Sequence, residues 1–129
     1  MTYYYSKTSD LPFAEAVART REALKEQGFG IITEIDVTNT FKQKLDLDFR
    51  PYMILGACNP KAAYEALLQE DKVGVMLPCN VIVQQRASGG GSEIAAVDPV
   101  ASMSAIQNPG LQAKAEEIGA SLRRALDAI

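Results

Sequence analysis

The chain has 129 residues, 47% hydrophobic and 22% charged, with a net charge of −3, no His, no Trp and two Cys. Without His there is no Ser-His-Asp triad, no Cys-His dyad, no imidazole metal ligand and no imidazole pH switch, and two Cys do not supply a four-thiolate zinc site. The length suits one domain, 1–129, that buries a core without staples, and the acidity argues against a nucleic-acid surface and, more weakly, against anionic membranes.

Residues 2–7, with Tyr3, Tyr4 and Tyr5 in a row, read as a strand. No basic-then-apolar leader opens the chain, and the apolar stretches at 52–58 and 73–79 are too short to span a bilayer. The expected location is therefore the cytoplasm, with both thiols reduced. Ser9 and Asp10 offer a helix cap, Pro12 fits the first turn, and Phe13, Val17, Thr20 and Leu24 recur at helical spacing until Gly28. Residues 29–35 read as a strand, with Phe29, Ile31, Thr33 and Ile35 on one face and Gly30, Ile32 and Glu34 on the other. Asp36 can cap a short helix carrying Val37, Phe41 and Leu45, and Arg50-Pro51 leads into a strand at 52–57.

Asn59-Pro60 starts a helix, because Asn caps and Pro suits the first helical position; Ala63, Ala66 and Leu67 share one side of it. The uncharged run 73–77 reads as a strand buried on both faces, interrupted by Pro78, and 81–86 as the next strand. Ala-Ser-Gly-Gly-Gly-Ser at 87–92 reads as a hairpin loop into a strand at 93–97. Its glycines lack the Gly-Lys-Ser/Thr ending of a phosphate loop. Asp98-Pro99 begins a helical turn, and Asn108-Pro109 begins the last helix, with Leu111, Ala115, Ile118, Leu122 and Leu126 as its stripe. The order β-α-β-α-β-α-β-β-β-α-α predicts an α+β fold, a sheet with helices mainly on one face.

Two segments stand out. Leu55-Gly56-Ala57-Cys58-Asn59 and Leu77-Pro78-Cys79-Asn80 each run an apolar stretch into Cys-Asn, twenty-one residues apart. If their strands are neighbours, both pairs lie along one margin of the sheet. Cys58 precedes a helix N-terminus, which favours a thiolate or a bound anion. The two thiols suit a reversible disulfide or a soft metal held across a dimer, and both Asn offer donor and acceptor groups to a ligand. Simple packing accounts for them as well, since free Cys behaves as a small buried hydrophobe, Asn59 is a cap and Asn80 a turn residue. There is no Cys-x-x-Cys, no recognisable carboxylate pair and no cofactor motif. Arg50 reads as an anion contact or a solvated strand-end charge, and Asp98 as a cap.

The run Asp48-Phe49-Arg50-Pro51-Tyr52-Met53-Ile54-Leu55-Gly56-Ala57-Cys58-Asn59-Pro60, then Gly74-Val75-Met76-Leu77-Pro78-Cys79-Asn80-Val81-Ile82-Val83 and Asp98-Pro99, resembles the bacterial and archaeal family catalogued as domain of unknown function 302. The resemblance implies a curved, mainly antiparallel sheet with helices on one face, of the TATA-binding-protein-like fold group. That likeness is of fold and does not imply DNA binding. The family brings no established activity. It places Lys44, Arg50, Cys58, Asn59, Cys79, Asn80 and Asp98 at its signature positions.

Three functions compete. The leading expectation is a ligand-binding or sensing domain, a homodimer with its pocket for a small molecule or anion at the Cys-Asn segments. The second is a thiol-dependent redox or sulfur-handling enzyme, with Cys58 as nucleophile and Cys79 as resolving thiol. The third is a structural module acting through partner contacts.

Overall fold

The computed structural model describes residues 2–87 and 90–129. Met1 and the centre of the expected hairpin loop, Ser88 and Gly89, lie outside the described residues. The strands are β1 (Tyr4–Ser9), β2 (Gly30–Asp36), β3 (Tyr52–Cys58), β4 (Cys79–Gln85) and β5 (Ser92–Val97). They form one sheet in the order β1-β5-β4-β3-β2, and every neighbouring pair is antiparallel. The helices are α1 (Phe13–Glu26), α2 (Val37–Leu45), α3 (Pro60–Gln69), α4 (Pro99–Ser102) and α5 (Pro109–Asp127). The fold is thus α+β.

Strand alternation decides which side of the sheet is covered. Val81 and Val83 of β4 stand opposite Ala96 and Ile94 of β5 and Leu55 and Met53 of β3. This set packs under Leu24 of α1 and Leu122 and Leu126 of α5. The other face presents Tyr4, Ile35, Ile54, Ile82 and Ala95, on the side away from α1 and α5. The end of α5 is tied to β1: the Tyr5 hydroxyl donates to Asp127 at 2.6 Å, and Lys7 Nζ donates to the carbonyls of Asp127 and Ile129. A cation there also suits the negative end of the helix dipole. Both buried hydroxyls are paired, Thr20 locally to the Ala16 carbonyl and Ser92 across the chain to the Leu11 carbonyl.

Four expectations change. Helix α1 begins after Pro12 with no side-chain cap, because Ser9 Oγ accepts from Leu11 N just ahead of it. The run 73–77 is no strand: Val73–Met76 is a 3-10 turn, held by Val75 N to the Lys72 carbonyl and Leu77 N to the Gly74 carbonyl. Nor is it buried on both faces, since Val75 is 82% exposed while Val73 is fully buried. In β2 a bulge between Ile31 and Thr33 breaks the alternation. Ile31 therefore pairs with Ala57 on the covered side, whereas Thr33 and Ile35 pair with Gly56 and Ile54 on the open side. Thr33 lies over Gly56, where a Cβ would collide with the Thr33 side chain and the Pro78 ring.

A second, smaller apolar cluster lies beside the main core. It comprises Ala66 of α3, Val73, Met103, and Leu111 and Ala115 of α5.

Candidate functional site

The second cluster is incompletely filled. Its floor is the end of the covered sheet face, where Ala57 of β3 stands opposite Cys79 of β4. Asn59 then launches α3 across that floor, its Oδ1 accepting from Ala62 N at 3.2 Å. The helix turns Ala62, Ala63 and Ala66 inward, and α5 answers with Ala115 and Leu111. Side chains this short do not close the space between two helices and a sheet. A cavity of about 330 Å³ remains, within the range of small-ligand pockets.

Cys58 and Cys79 both line this cavity, with Asn59 between the Cys58 strand and α3. Ala57 pairs with Cys79 and Cys58 is the next residue of β3, so both Cys residues border the cavity. Both are free thiols. Burial, and secondarily the neighbouring Cys58, pushes the Cys79 thiol up to about 11, so it is protonated near neutral pH. A protonated thiol is a poor nucleophile and a poor metal ligand. The expected anion site at the start of α3 is partly occupied by the protein itself. Asn59 takes the Ala62 N–H with its side chain and the Ala63 N–H with its carbonyl.

Lys114 is the one charged residue in the cavity wall among the described residues. Its Nζ lies 2.6 Å from Glu65 Oε2 on α3 and 3.7 Å from Glu117. The hydrogen bond from Lys114 holds the Glu65 carboxyl below the usual range, and the same bond raises the Lys114 ammonium. Ile32 and Leu67 line the cavity and are also 61% and 43% exposed, so they mark its mouth.

The other sequence candidates stand elsewhere. Asn80 follows Cys79 in a pleated strand, so it faces the open side of the sheet, opposite Gly56. Arg50 lies two residues before β3, beyond the end of the strand that is roughly 20 Å from Cys58. There its guanidinium sits 4.5 Å from the Phe49 ring centroid and donates to Gln84 Oε1 at 2.9 Å. Gln84 in turn donates to Glu93, which makes a surface polar chain. Lys44 is exposed in the last turn of α2. Asp98 caps α4, accepting from Val100 N at 3.0 Å, and its neighbour Pro99 reaches the cavity. Of the seven candidates, Cys58, Asn59 and Cys79 meet at the cavity.

Sequence reasoning missed Ile32, Lys114 and Met103, and placed Ala63 and Ala66 on one side of a helix without assigning them to a site. The alanines left a signal, since Ala62, Ala63 and Ala66 occupy the inward side of a helix where larger residues normally fill a core. Ile32 left none, because its position depends on the bulge.

A family profile described as "Domain of unknown function DUF302" matches residues 5–129. A crystal structure of an uncharacterized conserved protein DUF302 from Bacillus stearothermophilus is 31% identical, with a TM-score of 0.91, covering 99% of this chain and 98% of that one. No curated protein matches. The chain belongs to the DUF302 family. No helix among the described residues is long and apolar enough to cross a membrane.

Proposed function

We propose that the chain is a binding module for a small, mainly apolar ligand, held in the cavity walled by Cys58, Asn59 and Cys79. One observation carries this reading: a cavity of about 330 Å³ whose wall is nearly all carbon and whose mouth is open. Apolar cavities take apolar guests. The thiols then serve as polarizable wall atoms. The redox alternative is less supported, because Cys79 is held protonated. The test is a thermal-shift screen of uncharged apolar compounds against wild type and Ala66→Leu. Binding to the folded state must raise apparent stability. Stabilisation of wild type and none of the filled variant is the expected result; no stabilisation of wild type by any compound contradicts the reading.

The expected homodimer has a candidate surface on the open sheet face, where Tyr4, Ile35, Ile54 and Ile82 lie on the side away from α1 and α5. Five strands about 4.8 Å apart and six residues long give a flat face of roughly 500 Å². A standard interface buries about 800 Å² per partner, so this dimer is weak and exchanges. Sedimentation equilibrium should show association rising with concentration; a monomer at every concentration removes the dimer.

A further inference from the structure

The cavity has an apolar mouth and a charged flank, and the difference bears on what it holds. Ile32 and Leu67 flank the mouth, and the exposed Val75 and Met76 adjoin wall residues Gly74 and Leu77 in sequence. Ile32 owes its place to the β2 bulge, which leaves it unpaired and re-aims its side chain. On α3, Glu65 is two residues before Leu67 and hence on the opposite flank of the helix. There it shares the Lys114 ammonium with Glu117. One ammonium facing two carboxylates offers no welcome to an anionic group.

We infer that the ligand is a free, unbranched aliphatic chain that enters tail first between Ile32 and Leu67 and leaves its head group in water. The inference rests on the binding reading above and names its ligand class. At about 30 Å³ per heavy atom, the share of a liquid water, the cavity of about 330 Å³ takes roughly ten such atoms. Further carbons meet the apolar surface beyond the mouth, a contact that a compact ring system cannot make. Among the described wall residues Lys114 is the one charge, and it is paired with Glu65 and Glu117, so chain length sets affinity.

The experiment is displacement of the uncharged fluorophore N-phenyl-1-naphthylamine by monomeric n-alkanols from hexanol to dodecanol. Decanoic acid, decylamine, 1-adamantanol and phosphatidylcholine vesicles are added as separate competitors. Affinity is expected to rise roughly fourfold per methylene up to decanol and more gently beyond. Decanoic acid and decylamine should compete like decanol, adamantanol should compete less well, and vesicles should leave the dye in place. Ile32→Asn, at an exposed position, should weaken decanol roughly tenfold with an unchanged Tm. A flat chain-length series, or tighter binding of adamantanol than of decanol, overturns the chain assignment while the cavity-binding reading stands. Displacement by vesicles overturns the free-chain assignment. If neither the dye nor any competitor binds, both readings fall.

Discussion

Leu126 and Leu111 lie on the same helix and both are fully buried, but they face different interiors. Leu126 packs with Leu24, Val81, Val83 and Ile94 in the main core, where two helices meet the covered face of the sheet. Leu111 packs with Ala66, Val73, Met103 and Ala115, where three helical segments meet through short side chains. The cavity opens at the second of these, where it borders Phe29, Ala57 and Cys79 of the main core. Composition alone does not separate them, since both are apolar; side-chain volume at facing positions does.

The largest effect expected from this contrast is on truncation. Leu126→Ala should lower stability by about 4 kcal/mol and Leu111→Ala by about 2, measured by urea unfolding, because Leu111 borders the cavity and has fewer packing partners to lose. Equal losses would mean that the two interiors are packed alike.

The next effect is on pH. The folded Cys79 thiol titrates at about 11, above its ordinary value of 9.0, because burial disfavours the thiolate. Its contribution is therefore fully present below pH 9 and lost as pH rises from there to 11. The loss should be about 2–3 kcal/mol. Alkaline unfolding of Cys79→Ala should lack that slope; the same slope in both proteins would show that Cys79 is not its source.

Enlarging the alanines should change sign between the regions. Ala125→Leu, in the full core, should cost about 1–3 kcal/mol through overpacking. The same change at Ala66 should stabilise by about 0.5–1 kcal/mol, as cavity filling does. Thermal unfolding of the two variants checks this, and destabilisation by both would remove the distinction. The smallest effect belongs to the rim. Glu65 is held below its ordinary range by Lys114, so its contribution is present above the ordinary carboxylate range and fades as pH falls through the lowered value. Lys114→Met should flatten acid unfolding slightly, and an unchanged acid limb would show that the pair is inert.

Much of this architecture was legible in the chain. Asp36, Asn59, Asp98 and Asn108 each cap the helix that their position announced. Short uncharged runs were the failure, because an apolar stretch of strand length has no period of its own. The run 73–77 accordingly became a 3-10 turn that buries Val73 against the second cluster and leaves Val75 in water. The bulge in β2 was invisible for another reason: a single inserted residue shifts the alternation without changing the composition. The two Cys-Asn segments parted company on local geometry. Asn59 leaves its strand to start a helix, so it stays beside its Cys at the cavity. Asn80 continues in its strand, so the pleat sends it to the opposite face.

Xenon pressurisation of crystals of the protein tests the contrast most directly, since xenon enters dry apolar cavities without needing a hydrogen bond. The account predicts xenon density between α3 and α5, against Cys79 and Ala66, and none in the main core. Absence of xenon from that cavity, or a network of ordered water filling it, would contradict the account.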